Sequence, residues 1–266
     1  MHPEWQQIAG AFKANGQKTW LLTSGLSLAK NAQRAAQLFD AITVSLDGTD
    51  APTYQAIRGL DAFEAVCRGI RTAADAGLQP GIRVTLQQAN FRQLPQFVDL
   101  AGKLGAREVS FLPVDVANLH AFARNAELGG AVLLRREDLP AFEALLENLE
   151  SAYANEFRSG FIGQSPQKLR RILQYFAALS GTGELPEVRC NAPEFSAVVD
   201  ARGGVSPCFF IPGDRAARGA DGLGQALNSQ TMAALRRSIR AGTRGECARC
   251  VCSLWRNPNT FLDSNA

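Results

Sequence analysis

Five of the six cysteines in this 266-residue chain lie between residue 190 and the C-terminus, and their spacing limits how that region can fold. Cys190 and Cys208 stand apart, whereas Cys247, Cys250 and Cys252 form a C-x2-C-x-C group. Two thiolates two residues apart can bind one metal centre from a single turn, and further thiolates must then come from a separate segment folded back onto it. The spacing therefore predicts a zinc or iron–sulfur centre. Disulfides and unrelated buried thiols are the alternatives.

Composition places the chain among globular proteins, with 46% hydrophobic and 20% charged residues. The net charge of +3 is too small to indicate a nucleic-acid partner. No apolar run approaches the roughly 20 residues that span a bilayer, and the N-terminus lacks the basic and apolar regions of a signal peptide. We therefore expect a cytoplasmic protein with no membrane partner. In that reducing compartment clustered cysteines favour metal over disulfides.

Four predicted strands alternate with helical patterns over residues 18–23, 41–46, 81–86 and 108–114. Short connections between them imply parallel strands joined by right-handed crossovers, in a barrel or an open sheet. The alternation is predicted to stop after Val114, with a loop over 116–137, an amphipathic helix over 139–153 and a second helix over 166–179. A β-hairpin is predicted over 195–209. We divide the chain at 1–115, 116–183 and 184–266.

Small polar residues follow the predicted strands at Thr23-Ser24-Gly25, Ser45 to Gly48 and Thr85 to Asn90. Loops that leave the carboxyl ends of parallel strands converge, so these residues are candidates for a ligand site. Simple turn formation explains the same residues. There is no P-loop, no GxGxxG motif and no interpretable histidine pairing, so no catalytic residue is assigned.

Several segments have the order and spacing seen in radical S-adenosylmethionine enzymes: LLTSG, ITVSLDG, YQAIRG, GIRVTLQQAN and EVSFLPV. The C-terminal part resembles their SPASM/twitch domain through Cys190, Gly203-x4-Cys208, the segment LGQALNS and Cys247-x2-Cys250. The resemblance covers essentially the whole chain. It implies an α/β protein with an incomplete parallel (β/α) barrel, followed by a small cysteine-rich domain that binds a cluster.

The resemblance also implies ligands. Cys190, Cys208, Cys247 and Cys250 would hold one auxiliary [4Fe–4S] cluster, with Cys252 either a spare thiol or a ligand of a second cluster. Thr23 and Ser45 would contact the methionine end of S-adenosylmethionine, and Leu112 would lie near its adenine.

The family's cluster motif CxxxCxxC and its GGEP motif are absent from this chain. The chain resembles such an enzyme beginning after its second strand, and we expect the chain as written not to cleave S-adenosylmethionine. The full-length relative would cleave it reductively, with an electron donor, and modify a peptide or small-molecule substrate by hydrogen abstraction. The alternative is a non-catalytic module that holds zinc or a structural cluster on a vestigial half barrel.

Several other charged and thiol side chains have a structural interpretation, and the arginines among them also have a functional one. Asp47 is expected to shape a turn, and Arg58 either meets a carboxylate or is structural. Cys67 lies on an apolar helix face and is expected in the core. Five arginines near the CxxC group either offset the charge of a thiolate-bound cluster or form a solvated helix face: Arg236, Arg237, Arg240, Arg244 and Arg249.

Overall fold

The computed structural model describes residues 3–116, 118, 129–218 and 222–257. The chain divides into two compact units, the first made of residues 1–114 and 131–184 and the second of 115–130 and 185–266. None of the helices in the described part of the chain combines the length and apolar character that crossing a membrane requires.

The first unit alternates strands and helices. Its elements are α1 (Trp5–Ala14), β1 (Trp20–Thr23), α2 (Leu28–Leu38), β2 (Ala41–Ser45), α3 (Ala51–Arg58), α4 (Phe63–Asp75), β3 (Pro80–Leu86), α5 (Leu94–Lys103), β4 (Glu108–Pro113), α6 (Gly129–Val132, which begins in the second unit), α7 (Leu139–Ala152), α8 (Ala154–Arg158) and α9 (Pro166–Leu179). Two short 3-10 turns precede α5 and α7, at Phe91–Gln93 and Arg136–Asp138.

All four strands are parallel, in the order β1-β2-β3-β4. Residues in register share a face of the sheet. One face, here the apolar face, consists of buried side chains: Ile42, Val44, Ile82, Val84, Val109 and Phe111. Helices α2 and α4 present buried stripes of Leu28, Ala32 and Ala35 and of Val66, Ile70 and Ala73, at the spacing of one helix side. The predicted α/β architecture with an incomplete parallel barrel is confirmed.

Beyond β4 the sheet gains a fifth, short partner. Ile162 forms a parallel bridge with Val109, the Val109 N–H donates to the Phe161 carbonyl at 2.7 Å, and the Gly163 N–H donates to the Val109 carbonyl at 2.9 Å. The side-chain oxygen of Gln164 accepts the Phe111 N–H at 3.0 Å. Helix α9 follows this short segment directly. The strand–helix alternation, which the sequence pattern ends after Val114, therefore resumes at Ile162. The helices over 139–179 lie in the same unit as the sheet, while the three-part division of the chain stays a prediction.

Helix α3 is missing from the sequence prediction, although its local signals are present. Asp50 caps its first turn by accepting the Thr53 N–H at 2.8 Å, proline stands in that turn, and Gly59 ends the helix with φ 69°. A capping aspartate, an early proline and a terminal glycine in the left-handed region are the usual signs of a short helix.

The second unit contains β5 (Val198–Val199), β6 (Gly204–Ser206), β7 (Asp214–Arg218), α10 (Leu223–Leu227), α11 (Gln230–Arg240) and α12 (Gly245–Ala248). β5 and β6 form an antiparallel hairpin, shorter than the one predicted, and β6 also pairs with β7. Asp200 closes the hairpin turn by accepting the N–H groups of Arg202 and Gly204 at 2.7 and 2.9 Å. Val205, Ala226 and Met232 form the small buried core of this unit.

Cys67 is a core residue of α4, as predicted, with 1% of its surface exposed. Burial raises the pKa of its thiol to about 11, from 9.0. Between these values the unfolded chain loses the proton that the native thiol keeps, so native stability falls as pH rises. We expect the wild type to lose about 2–3 kcal/mol relative to Cys67→Ala between pH 8 and pH 11.

Urea unfolding of both proteins at pH 8, 9.5 and 11 under reducing conditions measures that difference. Cys252→Ala, which removes an exposed thiol, is the control and should follow the wild type. A gap between wild type and Cys67→Ala that does not change with pH contradicts the prediction.

Candidate functional site

The five C-terminal cysteines are all in the second unit, and all are free thiols. Cys190, Cys208, Cys247 and Cys250 are half-buried, whereas Cys252 is exposed. Across the residues that the structure describes, no three His, Cys, Asp or Glu side chains are grouped so that they could hold a single metal ion. The assignment of metal ligands therefore stays a prediction.

Neighbouring thiols influence one another across chain segments. The pKa of Cys250 is raised to about 12, first by burial and then by the charges of Cys252, Cys190 and Cys208, while the backbone N–H of Cys252 lowers it. Burial likewise raises the pKa of Cys247 to about 11, with Cys208 and Cys190 contributing. The pKa of Cys208 is shifted upward by its burial, with Cys190 and Cys252 adding to the shift. Thiols from the 190, 208 and 247–252 segments are thus close enough to interact electrostatically.

A tight turn presents Cys208. Cys208 forms an isolated bridge with Ile211, and the backbone N–H groups of Phe210 and Ile211 donate to its sulfur. Gly213 allows the following chain to return against β6, because a Cβ there would lie 1.8 Å from the Val205 carbonyl oxygen. The Gly213 N–H donates to the Ser206 hydroxyl at 3.0 Å. N–H groups aimed at a sulfur favour its thiolate form.

The C-x2-C-x-C group winds through α12 and the turn after it. Cys247 lies in α12, and the Cys250 N–H donates to the Cys247 carbonyl at 3.1 Å. The Cys252 N–H donates to the Cys250 sulfur at 3.4 Å. A cavity of about 360 Å³ is lined by Cys190 and Cys247 together with apolar groups of Leu185, Val188 and Ile239.

The residue types of the donor set suit a thiophilic metal or an iron–sulfur cluster, although the described side chains are not grouped closely enough to hold a single metal ion. Four half-buried sulfurs, two of them receiving backbone N–H groups, offer soft ligands, whereas Glu187, which also lines the cavity, carries a harder carboxylate oxygen ligand. The raised pKa values of Cys208, Cys247 and Cys250 favour the protonated thiols in the apo site, and binding of a metal cation releases such protons.

Three of the five arginines near the C-x2-C-x-C group form a hydrogen bond or an ion pair within the second unit. Arg236 donates to the Leu227 carbonyl at 2.7 Å, Arg240 pairs with Glu194 at 2.8 Å, and Arg244 pairs with Glu246 at 2.6 Å. These contacts favour a structural role for the three. Arg237 and Arg249 are exposed, and for them both interpretations stay predictions.

Asn191, which the sequence analysis did not single out, is the buried polar residue next to Cys190. Its side-chain NH₂ donates to the Arg256 carbonyl at 2.7 Å, and its side-chain oxygen accepts the Arg256 N–H at 2.9 Å. Its backbone N–H donates to the Leu254 carbonyl at 3.0 Å. The sequence shows only that an asparagine follows a predicted cysteine ligand. It does not show the partner, Arg256, which lies 65 residues away.

The second candidate region lies at the other face of the first unit's sheet. We call it the polar face, and by register and hydrogen bonding it includes Trp20, Thr43, Ser45, Arg83, Ser110 and Leu112. The Trp20 indole N–H donates to the Thr43 hydroxyl at 3.0 Å, and the Arg83 Nε donates to the Ser110 hydroxyl at 3.3 Å. Trp20 is 60% exposed, whereas Thr43 and Ser110 on the same face are buried.

The structure brings two of the three predicted S-adenosylmethionine contacts to the polar face. Ser45 is in register with Arg83 of β3. Leu112 is in register with Thr85, which lies two residues after Arg83 toward the carboxyl end of β3. Both are half-buried. Thr23 is in register with Val44, which places it on the apolar face, and its hydroxyl accepts the Gly25 N–H at 3.1 Å. All three roles stay predictions.

Asp47 and Arg58 form an internal pair at the carboxyl edge of the sheet. The Arg58 Nη2 lies 2.5 Å from the Asp47 Oδ2, and the other carboxylate oxygen accepts the Thr85 N–H at 2.7 Å. The buried Asn90 amide donates to the Asp47 and Thr85 carbonyls at 2.9 and 3.0 Å. Arg58 therefore meets a carboxylate of its own chain, and Asp47 joins β2 to β3 in addition to shaping the turn.

Comparison with known proteins gives two kinds of likeness. The "Probable GTP 3',8-cyclase" of Saccharolobus islandicus is 27% identical over 146 residues, which are 54% of this chain and 44% of that relative. The protein of the same name from Sulfurisphaera tokodaii is 29% identical over 101 residues, 37% of this chain and 32% of that one. The chain thus spans less than half the length of the relatives it matches. No family model matches.

Among solved structures, a histidine-tagged form of anSMEcpe with bound AdoMet is similar over 95% of this chain and 68% of that chain, with a TM-score of 0.61 and 15% identity. Streptococcus suis SuiB bound to precursor peptide SuiA is similar over 94% of this chain and 57% of that one, with a TM-score of 0.58 and 12% identity. These likenesses show a shared fold. The sequence likeness and the shared fold both support the resemblance to radical S-adenosylmethionine enzymes.

Proposed function

We propose that this chain is an iron–sulfur protein of the radical S-adenosylmethionine type, in which Cys190, Cys208, Cys247 and Cys250 hold one auxiliary [4Fe–4S] cluster. The observation that carries the proposal is that half-buried thiols from three separate chain segments lie in one unit, with Cys190 and Cys247 lining the same cavity. Thiols that repel one another when charged and are shielded from water need a cation to hold them as thiolates. We place the protein in a reducing, cytosolic setting, where clustered cysteines bind metal in preference to forming disulfides.

The residues of the site have separable roles. Cys190 and Cys247 line the cavity, Cys208 and Cys250 receive backbone N–H groups that stabilise negative charge on sulfur, and Asn191 holds the tail of the unit. When bound, the cluster would supply an electron acceptor or an iron that anchors a substrate. Exposed Cys252 is the spare thiol in this proposal.

A peptide or a small molecule is the proposed substrate class of the complete enzyme. SuiB is similar in its complex with precursor peptide SuiA, and native anSMEcpe in its complex with AdoMet and Kp18Cys peptide, which supports a peptide. The name GTP 3',8-cyclase of the sequence relatives supports a small molecule instead. Ser45 and Leu112 on the polar face are the proposed contacts to S-adenosylmethionine, and an external electron donor would be required. That the chain by itself forms no 5′-deoxyadenosine stays a prediction.

Anaerobic reconstitution with iron and sulfide tests the proposed cluster. We expect a brown protein with about four iron atoms per chain, the content of one [4Fe–4S] cluster on four cysteines. Cys208→Ser and Cys250→Ser should each reduce bound iron to background, because each removes a ligand. Cys67→Ser, in the core of the other unit, and Cys252→Ser are matched controls that should retain it.

Iron content, visible absorbance and zinc content are measured on the same samples. Wild-type iron in both Cys208→Ser and Cys250→Ser contradicts the proposal. A colourless protein with one zinc ion per chain, lost in the same two variants, favours the non-catalytic module instead.

A further inference from the structure

We propose that Asn191 is a positioning residue, which fixes the tail after Cys252 beside Cys190 so that the distant thiols face one centre. This inference rests on the proposed function and concerns the same site. In this inference Asn191 does not bind the cluster. It holds together the chain segments that carry the cysteine ligands.

The Asn191 amide acts as a short piece of β-bridge. Its NH₂ donates to the Arg256 carbonyl and its oxygen accepts the Arg256 N–H, so one side chain satisfies both main-chain groups of that residue. The main-chain N–H of Asn191 adds a third bond, to the Leu254 carbonyl. With 4% of its surface exposed, Asn191 is shielded from competing water, and buried hydrogen bonds of this kind fix geometry strongly.

Two cation–π contacts flank these hydrogen bonds. The Arg189 guanidinium lies 3.7 Å from the centre of the Trp255 ring, and the Arg256 guanidinium lies 4.8 Å from the centre of the Phe195 ring. Each segment thus contributes one arginine and one aromatic ring, which opposes sliding of one segment along the other. We call residues 189–195 and 254–256 the clasp.

The clasp lies next to the thiols in sequence on both sides. Cys190 immediately precedes Asn191, and Cys252 stands two residues before Leu254. Holding residues 189–195 against residues 254–256 closes the loop of chain between them, which costs conformational entropy. The contacts of the clasp offset that cost before any metal is bound. Outer partners that orient metal ligands typically change metal affinity by about 10- to 100-fold when they are mutated.

The test uses the full chain with Asn191→Ala, and with Asn228→Ala as matched control. Asn228 also donates its amide to a backbone carbonyl in this unit, that of Gly224 at 2.9 Å, but lies outside the clasp. In the apo protein, dibromobimane, which fluoresces after bridging two nearby thiols, should bridge Cys190 to the C-x2-C-x-C group. Peptide mapping identifies the bridged pair. We expect a several-fold lower yield in Asn191→Ala and no change in Asn228→Ala.

After reconstitution, Asn191→Ala should lose iron to a chelator about 10- to 100-fold faster than the wild type. Wild-type bridging together with wild-type iron retention in Asn191→Ala overturns the inference. If that variant does not fold, Asn191→Asp decides, because it keeps the acceptor for the Arg256 N–H but not the donor. An intermediate bridging yield in Asn191→Asp supports positioning, and a wild-type yield overturns it.

Failure of the inference can be told from failure of the proposed function. A wild-type chain whose thiols are bridged, less so in Asn191→Ala, but which never binds iron contradicts the proposed cluster and supports the clasp. A chain whose thiol bridging and iron retention are both the same with asparagine or alanine at position 191 contradicts the clasp alone.

Discussion

Replacing Phe142 with alanine is expected to destabilise the first unit by about 3–5 kcal/mol, because it empties a fully buried ring site. Phe142 has no exposed surface on α7, and its ring packs edge-on against Phe91 at 6.0 Å and Phe176 at 6.1 Å between centroids. These contacts join α7 and α9 to the turn before α5. The prediction therefore also tests whether the helices after residue 131 belong to the sheet's unit.

Urea unfolding followed by far-UV circular dichroism measures the Phe142 effect. Phe142→Leu should cost less than about 1.5 kcal/mol, because most of the apolar volume is kept. Phe12→Ala is the matched control, since Phe12 is 57% exposed on α1, and its change should stay within about 0.5 kcal/mol. Equal effects for Phe142→Ala and Phe12→Ala would show that α7 is not packed as described.

Removing the Asp47 carboxylate is the second large effect that we expect, with Asp47→Ala costing about 2–3 kcal/mol, mainly because the Thr85 N–H loses its acceptor. Asp47 is 3% exposed and pairs with Arg58 while accepting the Thr85 N–H. Its loss leaves the Arg58 charge without this carboxylate and the Thr85 N–H without its acceptor. Asp47→Asn keeps an oxygen for Thr85 and should therefore lie between alanine and wild type.

A double variant separates the two contributions. Asp47→Ala combined with Arg58→Met should be more stable than the sum of the single changes predicts, because each single change already includes the loss of the same ion pair. Glu150→Ala is the matched control: Glu150 pairs with Arg170 at 2.7 Å, but both side chains are more than 40% exposed, so its loss should cost less than about 1 kcal/mol. Additive behaviour of Asp47 and Arg58 would contradict the pairing.

Elements with strong local patterns were predictable from the sequence. Helix α9 was predicted over the residues it occupies, and the four strands closely match the predicted runs, with β3 beginning one residue earlier, at Pro80. Cys67 was correctly assigned to the core because it stands on the apolar stripe of α4. Apolar periodicity reports local burial directly, which is why these predictions succeeded.

Elements that depend on a distant partner were missed. Residues 161–164 have no strand pattern, and their bridge exists because the edge of β4 offers Val109 groups to Phe161 and Gly163. Short α3 escaped because apolar periodicity is weak over a helix of 8 residues, although its capping signals were present.

The sequence alone determined the parallel α/β character, the cysteine spacing and the resemblance to radical S-adenosylmethionine enzymes, because each is written in residues close together along the chain. Only the tertiary structure decided that Arg58 pairs with Asp47, that Ser45 and Leu112 share a face which Thr23 does not, and that Asn191 holds Arg256. Those facts depend on register and on contacts between distant residues, and such contacts leave no periodic trace in a single sequence.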